Sequence, residues 1–406
     1  MSERKTDMFS EGSRTVSFAV LVQAALRHQQ AGRFQEAEDL CGLALGAAPD
    51  NPDVLGLLGV LNAQQQRFEL ASRYFAMAIG AAPNRADLLC NYANTLLVQG
   101  LPEVALAQCQ KARDLDSERV ATHTLLSAIL LALERPREAI VCYRRALALE
   151  PGNPEGWSRL GELLKAQGKI EEAGECFRKA LALCPDNAVQ AWQLATVAPV
   201  WLAPLEGKRI RLRRYAEEDA EFLHRCFRDS FFMEHYNHNI PQGRTVEVLK
   251  NKLRKAATLH PCQSRTGDWV IERQGSGEPL GIANLVEIQF AHRRAEFLIG
   301  MPDPAQRTAG LALESTLLVL DYAFNRVGLH KLTAIVYANN LYAQKNVESL
   351  GFVQESHLRE QMLEQASGRF LDLYGYGMTQ GDFRGNARLG RLSRRLLGRD
   401  VRLGSD

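Results

Sequence analysis

The feature that most limits the fold of this chain is a 34-residue repeat in its first half. A small residue is followed four positions later by an aromatic residue or Cys, seven later by Ala, and twelve later by Pro or, once, Ser. Five such units follow one another without a gap, which predicts stacked supersecondary units that bury a continuous core between neighbours. The small residues are Ala37, Ala71, Ala105, Ala139 and Ala173.

Each unit fits two antiparallel helices, because small residues let the helices approach closely and a proline ends the second one. The pattern resembles the tetratricopeptide (TPR) family over residues 18–187, with five repeats and a capping helix at 188–199. The resemblance implies an all-α solenoid with a groove for a protein or peptide partner. The groove could instead pack on the next domain or a second copy, as in a homo-oligomer. The family register places mostly neutral residues in the groove: Gln29, Gln30, Gln64, Asn91, Asn94 and Leu131.

The charge distribution argues against nucleic-acid binding and sets the C-terminal tail apart. Residues 200–383 are neutral, and the basic excess lies in the tail 384–406, with seven Arg and two Asp. A nucleic-acid-binding body needs a basic face, so no nucleic acid is expected. The tail fits a small helix on the domain, a frayed end, or a segment on an anionic surface.

The location of the protein is predicted from its terminus and its cysteines. The first 17 residues are polar and predicted to be flexible, with no signal peptide. No apolar run reaches the ~18 residues of a membrane span, so we expect a cytoplasmic protein without integral membrane contact. The eight cysteines contain no CxxC motif, which favours core thiols over disulfides or a metal site.

The second half changes pattern after a Pro- and Gly-rich stretch, predicted as a linker at 200–208. Strands and helices alternate irregularly through 209–383, which predicts an α+β domain with a central mixed sheet. The predicted strands are 209–215, 269–273, 280–289, 294–301, 331–337, 352–360 and 370–378, and the predicted helices are 217–227, 244–259, 310–326 and 341–350.

Three stretches of this half resemble the GCN5-related N-acetyltransferase (GNAT) superfamily, in its ribosomal-protein N-terminal acetyltransferase branch. They are IRLRRYAEEDAEFLHRCF, AEFLIGMPDPAQRTAGLALESTLLVLDYAFNRVGLHKLTAIV and NLYAQKNVESLGF. The resemblance implies acetyl-CoA as acyl donor, no metal, and a primary amine as acceptor. It also implies that pantetheine lies between two diverging strands, one before the cofactor loop and one after its helix.

The cofactor loop is the R-x-x-G-x-A string that opens the helix at 310. The first backbone N–H groups of a helix have no internal partner, and together with the helix dipole they form an anion site. Gly310 and Ala312 keep the approach of a diphosphate open, whereas Thr308 replaces a glycine common in the branch. The predicted cofactor-binding residues are Leu298, Ile299, Gly300, Met301, Gln306, Arg307, Thr308, Ala309, Gly310, Leu311, Ala312 and Asn340.

The predicted catalytic residues are Glu296 and Tyr342. An amine is mostly protonated at neutral pH, so a base must remove a proton before it attacks the thioester. Glu296 matches a Glu of the family and is the candidate base, although it could instead pair with Arg293 or Arg294. Many members of the superfamily have a Tyr that acts as the general acid for the leaving thiolate of CoA, and this chain has Val347 at that position. Tyr342 or solvent is left to protonate the thiolate.

The acceptor is predicted to bind at a polar loop with the sequence SFFMEHYNHNIPQG. The predicted substrate-binding residues are His235, Tyr236, Asn237, His238 and Asn239, although a plain surface loop would look the same. We therefore expect an acetyl-CoA-dependent N-acetyltransferase whose repeats recruit a partner or the acceptor. The alternatives are an amino-sugar or small-amine acetyltransferase that uses the repeats for assembly, and a non-catalytic CoA-binding scaffold.

Overall fold

The computed structural model describes residues 18–236, 245–307, 310–364 and 368–403. The chain divides into two compact units, Met1–Leu163 and Leu164–Asp406, and the division falls within the ninth helix. The first unit is helical, and the second adds a mixed sheet. The predicted fold class, an all-α array followed by an α+β domain, is confirmed.

The helices of the repeats have bounds that follow the 34-residue period. They are α1 Phe18–Gln30, α2 Phe34–Ala47, α3 Pro52–Gln64, α4 Phe68–Ala81, α5 Ala86–Val98, α6 Pro102–Leu115, α7 Val120–Ala132, α8 Pro136–Leu149, α9 Pro154–Ala166 and α10 Ile170–Leu183. The periodic alanines are fully buried. In the second repeat the Phe75 ring lies so close to Gly59 that a Cβ there would come within 2.7 Å of it.

The turns within the repeats use the left-handed backbone region. Gly32, Gly100 and Gly168 have φ of +72° to +76°, and Gln66 and Glu134 take the same region in the repeats that lack a glycine. Glycine enters this region without the steric cost that a Cβ brings, which explains the predicted turn glycines.

After α10, the second unit has one more α-helix before an eight-stranded sheet. The strand order in the sheet is β1-β2-β3-β4-β5-β6-β8-β7. Its strands are β1 Leu205–Glu206, β2 Ile210–Arg214, β3 Gly267–Arg273, β4 Pro279–Gln289, β5 Arg294–Gly300, β6 Lys331–Tyr337, β7 Val353–Glu364 and β8 Arg369–Thr379. Its further helices are α11 Ala188–Thr196, α12 Ala220–Arg228, α13 Ser230–Tyr236, α14 Val246–Ala257, α15 Pro261–Ser264, α16 Pro304–Arg307, α17 Leu311–Asp321, α18 Leu341–Ser349, α19 Gln380–Gly385 and α20 Ala387–Leu397.

Each face of the sheet has its own apolar layer. Side chains from α17 pack on one face with Ala295 and Phe297 of β5. Helices α12, α13 and α14 pack on the other face with Val270 and Ile282. We call this second face the α13 face. Because side chains alternate along a strand, Glu296, between Ala295 and Phe297, points to the α13 face.

The α11 helix and the segment after it belong to the core of the second unit. Trp192 on α11 donates from Nε1 to the Phe290 carbonyl at 2.8 Å, and the Arg293 guanidinium lies 4.5 Å from its ring centroid. Trp201 is 1% exposed and donates to the Ala195 carbonyl at 2.8 Å. The stretch that was predicted as a linker therefore contributes core residues. The prediction was wrong because its Pro and Gly are typical of a linker, and the burial of its tryptophan could not be read from the sequence.

Replacing Trp201 with Ala is expected to destabilise the second unit by about 3–5 kcal/mol, the usual cost of removing a fully buried large aromatic residue. The matched control is Leu202→Ala, because this neighbouring side chain is 46% exposed. Denaturant unfolding followed by circular dichroism measures both variants. Equal stability losses in the two would contradict the assignment of Trp201 to the core.

Two segments for which the sequence left a loop or a frayed end open are helices in the structure. Residues 230–236, predicted as part of a loop, form α13, because Phe232 and Met233 are buried and Phe232 stacks on Tyr236 one turn later. In the tail, Leu389 of α20 is fully buried and Arg399 pairs with Asp321 at 2.7 Å. The tail therefore packs on the domain, as one of the sequence interpretations held.

The structure also bears on membrane contact and on the cysteines. Among the described residues, no helix has the length and apolar character to cross a membrane. All eight cysteines lie in described segments and none forms a disulfide. No group of three or more metal-ligating side chains occurs in the described part of the chain.

Candidate active site

The site begins where two parallel strands separate. In the part of the chain that the structure describes, β5 and β6 pair at three positions, from Arg294 opposite Lys331 to Glu296 opposite Thr333. Beyond them β5 stays paired with β4 as far as Gly300, and β6 stays paired with β8 as far as Tyr337. No β5–β6 pairing is found past Glu296 in the described strands, so a slot opens there with Glu296 at its closed end. The predicted divergence of these strands is confirmed.

The predicted main-chain partners of the cofactor line one side of this slot. Leu298, Ile299 and Gly300 are half-buried on β5, and Met301 is buried just after it. Their register with β4 leaves the opposite edge of the strand turned toward β6. An extended chain with amide groups, such as pantetheine, fits this edge as an added strand would.

The predicted anion site lies at the N-terminus of α17. Gly310 is its N-cap, with φ +72° and no side-chain cap. Among the described residues, only Nη2 of Arg209 lies near a Cβ built on Gly310, at 3.5 Å. Leu311 is buried and Ala312 half-buried, whereas Thr308 and Ala309 lie outside the described residues. Gln306 accepts from Arg273 at 3.3 Å, and only the main chain of Arg307 is described, at the end of α16.

Glu314 fixes α17 to the start of β2. Its carboxylate is fully buried and accepts from the main-chain N–H of Lys208 at 2.7 Å and from Arg209 N–H at 3.0 Å. The Arg209 side chain donates to the same carboxylate at 2.8 Å. This contact brings a cation to Gly310, which the sequence could not show because 105 residues separate the partners.

Glu296, the predicted base, has a carboxylate with a raised pKa. It is half-buried on the α13 face, and burial, with a smaller contribution from the nearby Glu287 carboxylate, raises its pKa from 4.5 to about 7. The alternative, an ion pair with a neighbouring arginine, is not found in the described residues. Arg294 donates to Gln289 at 2.9 Å instead, and Arg293 lies over Trp192.

The predicted acceptor residues begin at the end of α13. The Tyr236 ring stacks on Phe232 with centroids 5.0 Å apart, and its hydroxyl donates to Asn284 Oδ1. Burial raises the pKa of the Tyr236 hydroxyl. The half-buried side chain of His235 bonds through Nδ1 to the Phe231 carbonyl at 2.9 Å. Asn237, His238 and Asn239 lie outside the described residues.

The last two predicted residues lie at the start of α18. Asn340 caps this helix by accepting from Ala343 N–H at 3.0 Å, and its Nδ2 donates to the His235 carbonyl at 3.5 Å. Tyr342 is 64% exposed in the first turn. The structure thus brings Asn340 and His235 together beside the slot and leaves Tyr342 at the surface.

Comparison with known proteins decides the family. The family model described as "Acetyltransferase (GNAT) domain" matches residues 209–353. A spermidine N(1)-acetyltransferase of Vibrio cholerae is 36% identical over 168 residues, which are 41% of this chain and 91% of that protein. The chain belongs to the GNAT family of N-acetyltransferases.

Further matches include another N-acetyltransferase, a solved structure and tetratricopeptide repeats. The uncharacterized N-acetyltransferase YoaA of Bacillus subtilis is 28% identical over 42% of this chain and 94% of its own length. A crystal structure of spermidine N-acetyltransferase from Vibrio cholerae in complex with CoA and spermine shares 26% identity, with a TM-score of 0.39 over 43% of this chain and 97% of that one. Tetratricopeptide models match residues 28–89, 128–168 and 154–187.

The GNAT domain thus makes this chain an acyltransferase, and acetyl-CoA is the donor that such enzymes use. Its own geometry fits that donor. The slot can take an extended amide chain, the uncapped N-terminus of α17 can take a diphosphate, and Arg209 adds a positive charge beside it. The TPR array, also confirmed by its family models, accompanies this enzyme on the same chain.

Proposed function

We propose that this GNAT enzyme transfers an acetyl group from acetyl-CoA to a primary amine, with Glu296 as the general base. The observation that carries the proposal is the position of Glu296. It lies at the closed end of the β5–β6 slot, on the α13 face, with a pKa raised to about 7. A base with a pKa near the working pH combines a useful deprotonated fraction with good proton affinity.

The donor would be held by main chain more than by side chains. The N–H and carbonyl groups of 298–301 would bind the pantetheine arm, and the N–H groups at 310–312 would bind the diphosphate. Arg209 would add a charge-assisted hydrogen bond. When bound, acetyl-CoA supplies the acetyl group as a thioester. The chain itself provides orientation along the slot and a base at its end.

Proton transfer involves two sites. The Glu296 carboxylate accepts a proton from the ammonium group of the acceptor, directly or through one water, so that the free amine can attack. Tyr342, the predicted donor of the proton for the leaving thiolate, is 64% exposed. We propose that solvent at the slot provides this proton, with Tyr342 as the alternative donor.

The acceptor that we propose is a small aliphatic amine of the spermidine type. Spermidine appears in the name of the Vibrio cholerae relative, which this chain matches over 91% of that protein. This support is stronger than that for a protein N-terminus, the acceptor suggested by the ribosomal-protein branch. The amino-sugar acceptor has no relative among the matches described above.

The test is thiol release from acetyl-CoA with a panel of spermidine, a peptide with a free N-terminus, and a 4-amino sugar. We expect a spermidine kcat/KM at least about tenfold above the peptide value, which corresponds to ~1.4 kcal/mol of transition-state binding. A preference for the peptide would overturn the acceptor proposal. Absence of thiol release with every amine would favour the CoA-binding scaffold.

We also propose that the TPR array binds a protein or peptide partner, as its family resemblance implies. Gln29 donates to Gln64 at 3.3 Å, which places two predicted groove positions from successive repeats side by side. Such neutral amide groups suit hydrogen bonding to an extended peptide. A homo-oligomer remains the alternative use of this surface.

We propose that the protein is located in the cytoplasm, because it depends on acetyl-CoA, an intracellular metabolite.

A further inference from the structure

The C-terminal turn of α13 contacts both sides of the β5–β6 slot. On the β5 side, a Cβ built on Gly300 would lie 2.6 Å from the Phe232 ring and 2.7 Å from the Tyr236 ring. On the other side, the carbonyl of His235 accepts from Asn340, the N-cap of α18. Residues 235 and 236, adjacent in sequence, are therefore tied to opposite sides of one opening.

Tyr236 is itself held by a stacking contact and a hydrogen bond. Its ring stacks on Phe232 with an interplanar angle of 15°. Its hydroxyl donates to Asn284, which is 8% exposed and lies opposite Leu298 in the β4–β5 register. Asn284 in turn donates to Asp268 at 2.6 Å, so the network reaches β3. A side chain fixed in this way can hold the main chain on which it packs.

The end of β5 needs such a contact. Within the described strands, Gly300 is paired with Ile282 on one edge, and its other edge faces the slot. It has no side chain of its own to pack, so the rings of Phe232 and Tyr236 lie directly on its backbone. Loss of the Tyr236 ring would let this half-supported strand end move.

We propose that Tyr236 is a positioning residue that holds the end of β5 at the spacing from α18 that the pantetheine arm requires. The inference rests on the proposed function, since it assumes that the slot binds CoA. It gives Tyr236 a different task from the acceptor contact predicted from the sequence. The hydroxyl faces Asn284, and the ring faces Gly300.

The experiment compares two ligands by calorimetry without any amine acceptor. CoA fills both the slot and the α17 anion site, whereas adenosine 3′,5′-bisphosphate lacks the pantetheine arm and the outer phosphate and keeps one 5′-phosphate for the anion site. We expect Tyr236→Ala to raise the Kd for CoA about tenfold or more and to leave the Kd for the bisphosphate within about twofold. Tyr236→Phe keeps the ring on Gly300 and is expected to keep CoA affinity within about twofold, with a lower Tm.

The matched control is Phe222→Ala. Phe222 is 9% exposed in the same apolar layer as Phe232 but is not among the rings nearest Gly300, so its variant should lower the Tm without weakening CoA binding. If Tyr236→Ala does not fold, Tyr236→Leu replaces it, since Leu fills the layer without a flat ring.

The outcomes separate this inference from the function on which it rests. If the wild-type chain binds CoA and Tyr236→Ala binds it equally well, the positioning role is overturned. The same holds if the variant weakens CoA and the bisphosphate by equal factors, because that indicates general loss of structure. A wild-type chain that binds neither ligand overturns the proposed function, and the inference with it.

Discussion

Replacing Glu296 with Gln is expected to lower kcat by about 10²–10⁴-fold, the usual contribution of a general base. Glutamine keeps the size of the side chain but cannot accept the proton of the ammonium group. The Kd for acetyl-CoA should stay close to the wild-type value, because the slot is lined by main-chain groups of 298–301 rather than by this carboxylate. Steady-state kinetics and calorimetry together measure the two effects.

The pH dependence gives an independent check on Glu296. Only the carboxylate form accepts a proton, so with a pKa of about 7 the kcat should rise with pH through that value and level off above it. Glu287→Gln removes a neighbouring negative charge, which should lower the pKa of Glu296 and move the rise toward acid. A pH profile unchanged by Glu287→Gln would contradict the assignment of the rise to Glu296.

The same raised pKa predicts an opposite effect on stability. The folded chain binds this proton more tightly than the unfolded chain, whose Glu has a pKa near its ordinary value of 4.5. Stability therefore decreases as the pH rises from the unfolded value through about 7. Glu296→Gln removes this decrease, so the variant should have a higher Tm than wild type above pH 7. Loss of activity with a gain in Tm cannot be explained by unfolding.

The repeats could be predicted in detail because their determinants lie close together in sequence. Each helix packs on its partner in the same repeat or on a helix of the next repeat. The 34-residue pattern therefore contains the residues that make these contacts. Ala71, for example, is fully buried at its predicted position. Even the turns without glycine follow the rule, since Gln66 and Glu134 adopt the backbone region that glycine occupies elsewhere.

The parts of the site that the sequence did not reveal depend on contacts between distant residues. Arg209 reaches Gly310 only because Glu314 is buried against the start of β2. Trp201 lay in a stretch whose Pro and Gly indicated a linker. α13 was hidden because Phe232 and Tyr236, which have helical spacing, precede a run of Asn and His typical of a loop. Tertiary contacts outweighed local propensity in each case.

The two parts of the proposed donor site are expected to contribute separately to the Kd for CoA. Gly310 is proposed to serve the anion site and Tyr236 the slot, so variants at the two positions should weaken the binding of different parts of CoA. The Gly310 φ of +72° also means that any side chain there costs backbone energy. A control must therefore reproduce the backbone strain at a place without an anion site.

Gly310→Leu is expected to raise the Kd for CoA about 100-fold or more, or ~2.7 kcal/mol, because the new side chain would occupy the space that the diphosphate approaches. Adenosine 3′,5′-bisphosphate should also lose affinity, because its 5′-phosphate binds at the same N–H groups, unlike its behaviour with Tyr236→Ala. Gly275→Leu is the control, since Gly275 has φ +85° with no atom within 4 Å of its built Cβ. Both variants bear a backbone cost of about 1–2 kcal/mol, but only Gly310→Leu should lose the ligands. Full affinity in Gly310→Leu would show that the diphosphate binds elsewhere, and the donor site would then have to be sought away from α17.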